Sequence, residues 1–330
     1  MAQGLGKIIK SENNIFQLAV ITICTFALMC WLLPGTFLTM RNFRSMSFQF
    51  PELGILSLAM MLAMLTGGID LSLVGIANLA SILGAFVFVK LMPANSSHEV
   101  VVAYIVGVVA LALFVGMSCG LLNGFLISKL NVPPILATLG TMQFYTGIAI
   151  VLTKGAAVIG LPTQYSVIGN GSLGVFSIPL IIFIVLLIFF AILLRKTNFG
   201  INLYLIGSNA KAAIFSGIKV NKNLMISYMI GGCLAGLAGL IMSSRTNAAK
   251  ADYGTSYILQ SILVAVLGGV KPTGGSGKAI GILIAVLALQ FLSSGFSMLR
   301  FSNFAKEFVW GVFLLAIMIV NYFTNERNKT

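Results

Sequence analysis

The stretch VFSIPLIIFIVLLIFFAILL, Val175 to Leu194, runs for 20 residues without a charge and ends abruptly at Arg195 and Lys196. At 1.5 Å per residue, about 20 apolar residues in a helix span the roughly 30 Å hydrocarbon core of a bilayer. The run shows none of the period-two alternation of a barrel strand, and backbone in lipid must satisfy its own hydrogen bonds. It reads as a membrane helix.

The same pattern recurs on both sides. Apolar runs at about 15–34, 50–69, 72–91, 101–128, 133–153, 175–194, 223–243, 255–270, 277–298 and 304–323 are bounded by charges, Gly/Pro pairs or polar clusters. Hydrophobic residues make up 58% of the 330-residue chain and charged residues only 8%, against about a quarter charged in a soluble domain. The expected fold is therefore an all-α polytopic membrane protein with about ten transmembrane helices. The N-terminal MAQGLGKIIKSENN is basic and polar, and the run after it is too long for a signal-peptide core and lacks a small-residue cleavage site. A retained first span is expected.

The net charge of +13 raises the question of nucleic acid, but the basic residues stand singly between apolar runs. That is how loop charges orient spans and meet lipid headgroups, so no nucleic-acid partner is expected. With ten spans both termini share one side, and placing them in the cytoplasm puts 12 basic residues inside and 8 outside. Much of the margin comes from the loop between spans six and seven, which carries Arg195, Lys196, Lys211, Lys219 and Lys222.

Chemistry is sparse. Cys24, Cys30, Cys119 and Cys233 all lie in apolar runs without metal-ligand spacing and read as small buried hydrophobes. One histidine, His98, in a polar loop builds neither a zinc site nor a triad. The stretch GVKPTGGSGKAIG invites comparison with a phosphate-binding loop, but Pro272 and Ala279 stand where that pattern needs Gly and Ser or Thr. No cofactor, no metal and no catalytic residue is expected; Gly274, Gly275 and Gly277 read as a tight turn between spans eight and nine.

Of the seven acids, Asp70 alone follows directly from a membrane run, in MLTGGIDLSLVGIANLAS. A carboxylate in a membrane span is costly and tends to be functional or interfacial. Gly67 and Gly68 loosen the chain before it, so Asp70 or Ser72 is expected to cap the next helix; ion coupling is the competing role. The polar residues inside spans are Asn78, Ser81, Asn123, Thr138, Thr141, Gln143, Tyr145 and Gln290. They suit an uncharged, hydroxylated solute better than an ion, although each alone more often makes a helix–helix hydrogen bond. Asp70, Asn78, Asn123 and Gln143 are the candidate pathway residues. Glycines recur at helical spacing in GMSCGLLNG (Gly116, Gly120, Gly124), GGCLAGLAG (Gly232, Gly236) and GKAIG (Gly277, Gly281), which predicts close helix packing.

The loop between spans six and seven stands apart. In GSNAKAAIFSGIKVNK, Ser208 or Asn209 is an N-cap, Ala210 to Ser216 a short helix, and Gly217 fits the left-handed position past its end. Ile214 and Phe215 give this helix an apolar side and Lys211 a basic tip. So short a helix is marginal in water and must pack on something: the headgroups or a cytosolic partner.

Five stretches, in order, resemble one family: GGIDLS (67–72), LLNGFLISKLNVPPILATLGTM (121–142), TNFGINLYLIGSNAKAAIFSGIKV (197–220), YMIGGCLAGLAGLIMSSR (228–245) and LGGVKPTGGSGKAIG (267–281). The chain is similar, from about 50 to 322, to permease subunits of bacterial binding-protein-dependent ABC importers of the ribose type. The resemblance implies a single permease domain over 1–330 in the bacterial cytoplasmic membrane. Residues 1–14, 195–222 and 324–330 would be cytosolic. It implies a coupling helix before span seven that docks on an ATPase subunit, with Gly207, Asn209, Ala212, Ala213, Ser216, Gly217 and Ile218 matching the family pattern and Phe215 on the apolar side. It also implies an extracytoplasmic binding protein, a second permease chain, and import of a small sugar-like solute. Three departures, Val74 for a usual Gly, Thr146 for an Arg, and Ile258 with Gln260 for acids, resemble the branch that includes autoinducer-2 permeases. The alternative function is a proton- or sodium-coupled sugar carrier.

Overall fold

The structure, a computed structural model, describes the backbone of residues 2–93 and 96–326, and side chains over 15–93, 96–316 and 319. Helices dominate. The long ones are α1 (Ala2–Leu32), α2 (Met40–Leu65), α3 (Leu73–Phe86, prolonged by a π-helical turn Val87–Leu91), α4 (His98–Ser128) and α5 (Pro134–Thr153). After α5 come β1 (Val158–Ile159), the single turn α6 (Val167–Asn170), and a hairpin of β2 (Ser172–Leu173) and β3 (Phe176–Ser177). Then follow α7 (Ile178–Lys196), α8 (Asn198–Ser208), α9 (Ala210–Phe215) and α10 (Val220–Thr246). β4 (Ala248–Ala249), α11 (Ser256–Leu267), α12 (Ala279–Met298) and α13 (Asn303–Glu326) complete the described chain.

Eight of these helices, among the described residues, are long and apolar enough to cross a membrane, and α11 is a shorter apolar helix of 12 residues. With α13 they account for the ten expected runs. Residues 2–14 continue α1 as helix, whereas the tail expected over 324–330 lies mostly outside the described residues.

α2 is the centre. Every residue from Phe50 to Leu65 is buried, although the helix contains Pro51. Proline has no N–H to give the carbonyl one turn back, that of Ser47. The Ser177 hydroxyl donates to that carbonyl instead, at 2.6 Å. α10 lies along α2, where the Ser227 hydroxyl donates to the Leu62 carbonyl at 3.1 Å. Its other side meets α4 through the predicted glycines. A Cβ at Gly116, Gly120 or Gly124 would run into the backbone of α10 at Gly232, Tyr228 or Met225, and one at Gly232 or Gly236 into α4. Backbones this close exclude any side chain, the geometry small residues make possible in lipid.

The loops sort to two ends. At one end, Gly275 N–H donates to the Leu65 carbonyl at 3.0 Å, so the α11–α12 loop touches the end of α2. At the other, β1 pairs with β4, and the Ser294 hydroxyl donates to Asn42 Oδ1 at 2.7 Å.

Two expectations need correction. Span two begins ten residues before the expected 50, at Met40, so Glu52 lies well inside a helix; Asp70 is not the only acid embedded in the bundle. The cysteines are not buried: Cys24 is exposed and the other three half-buried. Thiols tolerate an apolar outer face as readily as a core.

Candidate functional site

The sequence motifs at 67–72, 207–217 and 274–281 converge at one end of the bundle. Gly67, Gly217, Gly274 and Gly275 have φ of 82°, 78°, 88° and 74°, a region closed to most side chains. Gly207, at the end of α8, leaves no room for a Cβ between the Leu65 carbonyl and Gly275 N. A Cβ on Gly274 would lie 2.8 Å from both Gly207 Cα and Gly67 N. Tyr204 in α8 donates its hydroxyl hydrogen to the Gly277 carbonyl at 2.8 Å. Backbone from α2, α8 and the α11–α12 loop is thus locked at one point, with nothing compressible between.

α9 projects from this junction. Asn209 is its N-cap, accepting from Ala212 N–H at 3.0 Å; Ser208, the alternative, is the last residue of α8. The C-terminus closes with Gly217 N–H to Ile214 O at 2.9 Å and Ile218 N–H to Ala213 O at 3.0 Å, the bond pattern that a left-handed glycine permits. Ala213 is buried against the rest of the chain, whereas Ala212 and Ser216 face outward. Ile214 is 59% exposed and Phe215 92%, the largest exposure of any described large hydrophobic side chain. Gly207 is a root, not part of this outer face.

Beside the junction, the 66–72 segment between α2 and α3 is held by polar contacts. Asp70 Oδ1 accepts from Ser72 N–H at 3.0 Å and from the Ser72 hydroxyl at 2.6 Å. Asn123 on α4 donates to Ser72 Oγ at 2.7 Å, and Thr138 on α5 donates to the Ile69 carbonyl at 3.0 Å. Neither Asp70 nor Ser72 caps α3 as expected: Ser72 makes no side-chain cap bond, and Asp70 instead closes a local turn.

The candidate pathway residues do not form one site. Asp70 and Asn123 belong to this polar knot. Asn78 donates to the Ala251 and Tyr253 carbonyls, both at 2.9 Å, and pins the α10–α11 loop into the bundle. Gln143 is exposed on the outside of α5. The hydrophobic pattern conceals one further charged group. Buried Glu52 accepts two bonds from Arg245, Nε at 2.7 Å and Nη2 at 3.0 Å, while Tyr257 donates to it at 3.3 Å. This ion pair ties α2 to the far ends of α10 and α11, and its acid is hidden when the helix start is placed at the hydrophobic edge.

Comparison with known proteins points to permeases. The profile described as "Branched-chain amino acid transport system / permease component" matches residues 42–320. The ribose import permease protein of Bacillus subtilis is 36% identical over 292 residues, covering 88% of this chain and 87% of its own. The autoinducer 2 import system permease proteins of Yersinia enterocolitica and Salmonella typhimurium are each 31% identical over 277 residues, covering 82% of this chain and 80% of theirs. No solved structure matches. The chain belongs to this permease family and is a multi-pass transmembrane subunit of an ABC importer, not itself an enzyme.

Proposed function

We propose that this subunit imports a small sugar or sugar-like solute by alternating access, with α9 as the docking element for a separate ATPase. The carrying observation is the shape of the 195–222 loop: a capped six-residue helix presents Phe215 and Ile214 outward while its root, Gly207, is wedged between α2 and the α11–α12 loop. An exposed aromatic on a rigid projection suits a partner's groove. A root without slack passes a push on α9 directly to the two elements behind it. The basic residues flanking α9 support a cytoplasmic position for this end, and with it cytosolic 1–14 and 324–330.

The solute class follows from the relatives, whose names specify ribose and autoinducer 2. A binding protein would deliver it to the opposite end, and a second permease chain, identical or related, would complete the pathway. ATP binding on the ATPase favours one state of the bundle, and the solute shifts the balance only by contacts that differ between states.

The direct test is co-purification. The intact chain should bring down an ABC ATPase from its own host's membranes. Ala212→Arg and Phe215→Glu, both on the outer face of α9, should lose the ATPase while still eluting as folded protein. Retention of the ATPase by both variants would rule out α9 as the docking element. An ion-coupled carrier would instead transport without any ATPase and lose coupling in Asp70→Asn.

A further inference from the structure

At the end opposite α9, a cleft of about 320 Å³ opens between α2, α11, α12 and α13. Its size falls at the low end of the roughly 300–1,000 Å³ typical of small-molecule sites. Its wall includes Gln49, Gln260, Gln290, Ser293, Asn303 and Trp310. Four amides in one cleft, with the Ser256, Tyr257 and Ser293 hydroxyls beside them, are unusual in a chain so poor in polar residues.

Gln290 is the telling residue. It is only 7% exposed, yet its amide makes no hydrogen bond to any described residue. A primary amide has two N–H donors and a carbonyl acceptor, and those of Gln290 are not sealed inside the protein but open to the cleft. Buried amides elsewhere give their N–H groups to the protein: Asn42 to the Phe37 carbonyl while accepting from Ser294, Asn78 to two loop carbonyls and Asn123 to the Ser72 hydroxyl, with only the Asn78 and Asn123 oxygens left unpaired. Gln290 alone among these has its whole bonding capacity left for whatever fills the cleft. Gln260, half-buried across from it on α11, is likewise unbonded among the described residues.

The charges nearby do not suit an ionic ligand. Lys306, which donates to Ser297 at 2.8 Å, and Glu307 both line the cleft, and their opposite charges leave the wall neutral overall. A neutral molecule bearing several hydroxyls matches the wall, each hydroxyl both giving and accepting a bond as an amide does. Trp310, 3% exposed, supplies an apolar indole surface for ring C–H groups.

We infer that this cleft is the solute site of the membrane subunit, taking a neutral monosaccharide-sized polyol with Gln290 and Gln260 as its hydrogen-bonding anchors. The inference rests on the importer reading above and places the solute away from Asp70, Asn78, Asn123 and Gln143.

The test uses the assembled importer, co-expressed with its ATPase and binding protein in cells lacking ribose uptake. Radiolabelled ribose and autoinducer 2 are the probes, and ATPase co-purification and thermal stability are measured in parallel. Gln290→Leu and Gln260→Leu should each cut the maximal uptake rate about tenfold, the scale of one lost hydrogen bond. ATPase binding should stay intact and thermal stability should not fall, since neither glutamine side chain bonds another described residue and leucine breaks no contact that holds the bundle together. Gln143→Leu, outside the cleft, should import normally. Wild-type rates in both cleft variants would overturn the assignment, as would a loss of uptake matched by a loss of stability. A wild-type chain that binds no ATPase would sink the importer reading instead, and one that binds it but imports neither probe would remove the sugar and this site together.

Discussion

At the scale of single residues, two contacts decide how much a substitution matters. Glu52 and Arg245 form a buried pair in which only 27% of the Arg245 side chain and 1% of Glu52's is accessible. Glu52→Gln should destabilise the protein by roughly 3 kcal/mol, because the guanidinium is left without its counter-charge. The double change Glu52→Leu with Arg245→Leu should recover most of that loss, and thermal unfolding in detergent distinguishes the two. Gly207→Val places a branched side chain where the Leu65 carbonyl and Gly275 already sit. It should cost about 1–3 kcal/mol and, in the assembled importer, reduce uptake more than ATP hydrolysis, which paired assays would reveal. The sequence made Gly217 readable, since a glycine past a capped short helix has few other uses. It could not make Gly207 readable, because the backbone it touches lies more than 60 residues away in either direction. Asp70 was conspicuous as an acid after a membrane run, yet Asn123, which bonds its partner Ser72, comes from another helix, and only the packed bundle brings them together.

Elements were legible wherever lipid imposes a length. Val175 to Leu194 anticipates α7, which runs from Ile178 to Lys196, because hydrocarbon thickness dictates the count. Hydropathy reports where lipid is, not where a helix starts, and α2 shows the difference: Arg41 and Arg44 stand exposed on a first turn that precedes the apolar stretch. The glycine spacing of α4 and α10 was readable as a packing face, but its partner was not, since any helix with small residues would satisfy the pattern. That seam gives a prediction at its own scale. Gly120→Leu, facing the Tyr228 carbonyl, should force α4 off α10 and leave little folded protein on size-exclusion chromatography. Gly107→Leu, on the same helix, should be tolerated, since a Cβ there meets nothing within 4 Å.

For the whole molecule, α2 runs between the end proposed to dock the ATPase and the end proposed to hold the solute. Its last residue accepts from the α11–α12 loop beside Gly207, and Gln49, near its other end, borders the polar cleft. An enclosed rod works as a lever only if both ends are anchored, and the ion pair and the glycine junction anchor them. The enclosure of α2 has a further consequence, during synthesis. Phe50 to Leu65 meet no lipid in the finished protein, and the segment carries both Pro51 and Glu52. When it leaves the ribosome, none of α7, α10 and α11, which later cover it, yet exists. α2 should therefore partition poorly into the bilayer on its own and wait at the insertion machinery until Arg245 arrives. Chains truncated after Leu91 and probed by engineered glycosylation sites should show α2 only partly inserted, whereas in full-length chains insertion should be complete.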